Sequence, residues 1–210
     1  YLSQVHLILL QVEQLVSLFG QTPDIDGDEA GELTLEEVEE ILNEVQNNIM
    51  QEDVLALDEK QSGLQTIYGE YSYEGPVVIK DNVVYQEMLG QITNGDDSTA
   101  YNMQSWQIWE ENSTNSINYV KTYGDGSGED ESYTASQSTE ATTEGAKEYI
   151  AGYFDYDSLA PNITDAYREA DGTVVINAVD GDVQYVITVK DNKPVSFIVS
   201  WPDGSCAGFD

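Results

Sequence analysis

The chain has 210 residues, with 40 Asp and Glu against 7 Lys and Arg, which leaves a formal net charge of −33 at pH 7. Nucleic acid and anionic membrane surfaces are held by clustered basic side chains, so a chain whose only arginine is Arg168 is excluded from both classes of partner. The hydrophobic fraction of 40% still belongs to a globular protein with a core rather than to a disordered acidic tail.

No stretch reaches the roughly 18 apolar residues that a transmembrane helix needs. The nearest, residues 5–19, is broken by His6, Gln11, Glu13 and Gln14. A single cysteine, Cys206, leaves no intramolecular disulfide, so stability is expected from the core or from bound ions. The start at Tyr1, without Met or a basic n-region, reads as a mature exported product. Scarce Lys and abundant Tyr, Asn, Ser, Thr and Gly fit the same extracellular or cell-surface, bacterial-like setting, and dense carboxylate also suits a saline medium.

Residues 1–60 carry 15 acids and one base, Lys60, and read as a helical hairpin with an acidic loop. Leu2, Val5, Leu9, Val12, Val16 and Phe19 recur at spacings of three and four, the stripe of an amphipathic helix. A second helix is predicted from Thr34 to about Met50, with Leu35, Val38, Ile41, Leu42, Val45 and Ile49 on one face. Thr34 and Glu37 have the spacing of a capping box, and the glutamates of the first two turns favour the positive end of the helix dipole. Residues 54–60 are expected to extend this helix or to follow a break near Gln51.

Beyond residue 60 the period becomes two. Strands are predicted at 64–73, 77–80, 83–89, 100–111 and 116–123, with a turn at Asp81-Asn82. Residues 124–145 hold almost no large apolar side chain and read as a mobile loop or a polar edge hairpin. A short helix over 146–154 follows, with Tyr149, Ile150, Tyr153 and Phe154 on one face. Four further strands at 163–170, 173–179, 183–190 and 195–201, separated by Asp-Gly, Asp-Gly and Asp-Asn pairs, form a meander. The fold class predicted is therefore α+β: the helical hairpin at 1–60, then at 61–210 a curved, half-barrel-like antiparallel β-sheet with a short inserted helix.

The acidic loop at 26–37 resembles the twelve-residue calcium loop of an EF-hand. Asp26 and Asp28 stand at its first and third positions, Gly31 at the sixth, and Glu32 offers a carbonyl at the seventh. Thr34 takes the ninth and Glu37 the bidentate twelfth. Hard Ca²⁺ needs six to eight oxygens, which clustered carboxylates supply. Ala30 departs from the pattern at the fifth position, and Gly20 and Pro23 interrupt the leading helix. The same residues also make a capping box and turn formers without any ion.

Catalytic patterns are absent, and the protein is expected not to be an enzyme. His6, the only histidine, lies 200 positions from Cys206, and no P-loop, GxGxxG or HExxH occurs. Asp155 with Asp157 is a pair that 40 carboxylates produce by chance.

The order of elements, with stretches such as VQYVITVKDNKPVSFIVSW, resembles the half-barrel layout of the LolA and LppX-like lipoprotein carriers. That resemblance implies an extracytoplasmic protein holding an acyl chain in the concave face of a sheet under helices. The function expected is a non-enzymatic binding domain for an apolar small molecule or peptide, with calcium as a structural clip. Tyr71, Tyr85, Trp106, Tyr185, Phe197 and Trp201 are the candidate lining residues. The alternative is a cell-surface module that meets a protein or glycan without an internal pocket. A pocket of about 300 Å³ or more discriminates between the two.

Overall fold

A computed structural model describes residues 30–67, 69–110, 113–123, 129–138 and 145–210. Its strands are β1 (Gly31–Glu32), β2 (Val54–Thr66), β3 (Gly69–Lys80), β4 (Val83–Asn94), β5 (Asp97–Glu110) and β6 (Ser113–Tyr123), followed by β7 (Glu129–Ser138), β8 (Ile163–Arg168), β9 (Val174–Asp180), β10 (Val183–Lys190), β11 (Lys193–Ser200) and β12 (Cys206–Phe209). The helices are α1 (Leu35–Gln51), α2 (Ala146–Gly152) and α3 (Tyr156–Leu159). All twelve strands join one antiparallel sheet in the order β1-β8-β9-β10-β11-β12-β2-β3-β4-β5-β6-β7. Two meanders, β2–β7 and β8–β12, thus meet where the last strand pairs with β2.

This overturns the expected helical hairpin followed by a half-barrel. Val54–Lys60 is strand rather than helix: Leu55 and Leu57 point into the core while Val54 and Ala56 are exposed, a period of two. The predicted strand at 64–73 spans the turn between β2 and β3. Among the described residues the sheet stays open, with β1 and β7 as its edges. The amphipathic stretch 2–19 lies outside the described residues. The segment 124–145 contains β7. Among the described residues no helix is long and apolar enough to cross a membrane.

The core sits between α1 and the helix-side face of the sheet. Thr34 caps α1 as predicted: its hydroxyl accepts the Glu37 N–H at 3.2 Å, and the Glu37 carboxylate accepts the Thr34 N–H at 2.7 Å. Val38, Leu42 and Val45 are fully buried against Ile176, Ile187 and Val189. Each such side chain contributes about 1.5–3 kcal/mol by leaving water. The helix has no basic residue in its last turn. Lysines from other elements supply that charge instead: Lys193 pairs with Glu52 at 2.7 Å, and Lys147 donates to the Glu52 carbonyl, where the dipole favours a cation. The β10–β11 turn clips the same helix, since the Asn48 amide donates to the Asn192 carbonyl and the Asn192 amide to Glu44, each at 2.7 Å.

Beyond the helices, β6 and β7 continue the sheet, β6 mostly half-buried and β7 exposed along its described side chains. The residues of β7 suit this: it reads EDESYTASQS, without an apolar face. Its acidic start guards the edge against pairing with another chain.

Candidate ligand cavity

The strands nearest the junction of the two meanders build a concavity of about 440 Å³ on the helix-side face. Successive side chains of a strand alternate between faces, so the cross-strand register fixes what points into it. Leu57 opposes Val77, which opposes Gln86; Ile79 opposes Val84, which opposes Gln107. Phe197 opposes Phe209, which opposes Glu59, and Val199 opposes Ala207. The small Ala207 side chain leaves space beside Val199.

α2 closes one side with Tyr149 and Ile150, and Tyr153 follows directly after it. This short helix is held by its own cap, in which Glu148 accepts the Gly145 N–H at 2.6 Å, and by Gln46 of α1, which donates to the Ala151 carbonyl at 3.1 Å. Trp109 is fixed by the β3–β4 turn, its backbone N–H donating to the Asn82 carbonyl at 2.9 Å and its carbonyl accepting from the Asn82 side-chain amide at 3.2 Å. The aromatic wall is continuous. Ring centroids lie 6.0 Å apart for Trp109–Tyr149, 5.4 Å for Tyr149–Tyr153 and 5.0 Å for Tyr153–Phe197. Phe197 and Phe209 stack at 6.0 Å, and Trp201 completes the lining.

One carboxylate enters this apolar space. Half-buried Glu59 accepts the Tyr73 hydroxyl at 2.7 Å on one oxygen and the Gln86 amide on the other. Burial, reinforced by the hydrogen bond to Glu59, pushes the Tyr73 phenol above its ordinary range. Burial does the same for Tyr153, whose hydroxyl donates to that of Tyr149 at 2.9 Å. Both phenols are therefore neutral donors at neutral pH.

Of the six residues expected to line a pocket, Phe197 and Trp201 do so. Tyr185 opposes Val199 on the same face, 6.3 Å from Phe197, beside the lining rather than in it. Tyr71 is on the same face but farther along β3, stacked on Tyr101 at 5.7 Å. Tyr85 and Trp106 are cross-strand partners on the opposite face, where they and Ile117 form a row beside a shallower hollow of about 400 Å³. Residue parity carries the missed signal. Trp106 and Trp109 are three apart on one strand, so they point to opposite faces, and only Trp109 shares the face of Leu57 and Phe197. The aromatic face predicted for 146–154 also held Tyr149 and Tyr153.

Asp26 and Asp28 lie outside the described residues. Glu32 sits in β1, paired with Tyr167 of β8, while Thr34 and Glu37 are engaged in the helix cap. Hydrogen bonds from Thr34 hold the Glu37 carboxyl below its usual range. The chain matches no protein-family model and no curated protein.

Proposed function

We propose that the protein is a non-enzymatic, exported binding domain that holds an apolar small molecule or an apolar peptide side chain in the cavity beneath α2. The observation that carries this reading is an aromatic-walled hollow of about 440 Å³ beside an otherwise packed core. Ligand sites of roughly 300–1,000 Å³ with an apolar lining and a few polar groups are the common form. A single carboxylate, engaged by an amide and a phenol, suits orientation of a ligand better than acid–base chemistry. What this reading shares with the lipoprotein carriers is the kind of cargo, not the half-barrel. The test is calorimetric titration with decanol. One molecule bound per chain, and none by Ala207→Phe, which fills the hollow, is expected. Equal binding by the two, or none by either, overturns the reading.

Calcium enters the same proposal on the sequence of the 26–37 loop alone. Glu37 must leave the helix cap to ligate an ion, so the expected outcome is a higher Tm in calcium than in chelator, reduced by Asp26→Asn.

The outer face favours a second reading, a glycan-binding surface. Exposed Trp106 and its partner Tyr85 offer ring faces to sugar C–H groups, and Asn115 and Gln137, which line the same hollow, offer planar amides. Oligosaccharide binding that Trp106→Ala abolishes and Ala207→Phe leaves intact would select it.

A further inference from the structure

We propose that the cavity selects a cationic amphiphile, an alkyl chain ending in an ammonium group that seats against Glu59 inside the aromatic wall. This rests on the cavity being a ligand site.

Three observations converge. Among the described residues Glu59 is the only acidic side chain lining the hollow, and no Lys or Arg forms an ion pair with it. Tyr73 and Gln86 occupy one acceptor site on each oxygen, whereas a carboxylate offers about four, so capacity remains for donors or a cation. Both of these partners are neutral, so among the described residues no cation offsets the carboxylate within a largely apolar space. A half-buried carboxylate in that setting gains most from a ligand that brings the opposite charge.

The wall is the second observation. Trp109, Tyr149, Tyr153, Phe197, Trp201 and Phe209 surround the space, and the faces of aromatic rings attract ammonium groups, Trp most strongly. An anionic head would meet both the carboxylate and these faces unfavourably. The third is the field of the whole chain, whose charge of −33 raises the local concentration of cations and lowers that of anions. The rest of the lining, from Leu57, Val77, Ile79, Val84 and Val199, accepts the alkyl chain.

The experiment compares decyltrimethylammonium, decyl sulfate and decanol, all below micelle formation and in high salt, so that the general attraction of an acidic surface is screened. Wild type, Glu59→Gln and Ala207→Phe are titrated by calorimetry, with far-UV circular dichroism to verify the fold. The expected result is that the ammonium compound binds wild type about tenfold or more tightly than decanol. Decyl sulfate binds least, Glu59→Gln levels ammonium and alcohol, and Ala207→Phe binds none. If ammonium and alcohol bind wild type equally and Ala207→Phe loses both, the role of Glu59 is overturned while the cavity reading stands. A preference unchanged in Glu59→Gln overturns it too. Ammonium binding that persists in Ala207→Phe, or no binding of any probe, overturns both readings.

Discussion

Two glycines show how the neighbour decides the cost of a side chain. A Cβ at Gly208, which borders the cavity at φ +152°, would stand 1.8 Å from the Phe197 carbonyl oxygen. Backbone in a paired strand has nowhere to go. At Gly90 the Cβ would stand 2.0 Å from the Tyr101 ring, a side chain that lies across the glycine and can yield more than paired backbone does. Gly208→Ala is therefore expected to lose at least the roughly 1–3 kcal/mol of an overpacked site and to exceed Gly90→Ala, as measured by urea unfolding. Tyrosines give a second prediction at this scale. Burial holds Tyr73, Tyr101 and Tyr153 above the ordinary phenol value of 10.0, so the unfolded chain ionises them first. Stability is then whole below about pH 10 and falls as the pH rises beyond it. Tyrosinate absorbance should lag at these sites until circular dichroism reports loss of the sheet. All 14 tyrosines ionising together on an intact sheet would contradict this.

Among the elements, α1 is where sequence and structure agree most closely. Its cap and its five buried residues at helical spacing act locally and leave a full pattern in the chain. Leu42→Ala is expected to cost about 2–5 kcal/mol, and Leu35→Ala, half-exposed on the same helix, less than about 0.5 kcal/mol in the same denaturation assay. The β8–β11 meander was legible for a similar reason, since each hairpin turn is written in two residues. Asp191 and Asn192 both adopt positive φ, as the tight turn requires. Other strands were hidden because partners create them. The four residues of β12 become a strand by pairing with β2 and β11, and the run Val54–Leu57 looks helical until its alternate faces are seen. β7 has no apolar face, and its described side chains are exposed. Its edge yields a test of its own: Asp130→Thr with Glu131→Thr should promote edge-to-edge association, visible as added mass by light scattering. The cavity was half legible, in Phe197, Trp201 and the aromatic face of α2. The rest depended on which strands became neighbours.

For the whole molecule, charge sets the conditions of folding. The ion pairs Lys60–Asp210, Lys190–Asp171 and Lys193–Glu52 are exposed, and pairs of that kind contribute about 0–1 kcal/mol each. Repulsion among 33 excess negative charges acts across the entire surface. Raising NaCl from about 0.01 M to about 1 M shortens the screening length from roughly 30 Å to 3 Å, and relief of repulsion should outweigh the lost pairs. Tm is predicted to rise with salt; a flat or falling Tm would contradict this balance. The central claim is that the hollow beneath α2 receives an apolar ligand, and tryptophan emission tests it most directly. Trp109 and Trp201 line the hollow and Trp106 lies on the other face, so Trp106→Phe leaves only reporters at the site. Titrated with decanol, that variant should show a saturating change in emission that adding Ala207→Phe removes. Unchanged emission, or a change that survives the filled cavity, would contradict the claim.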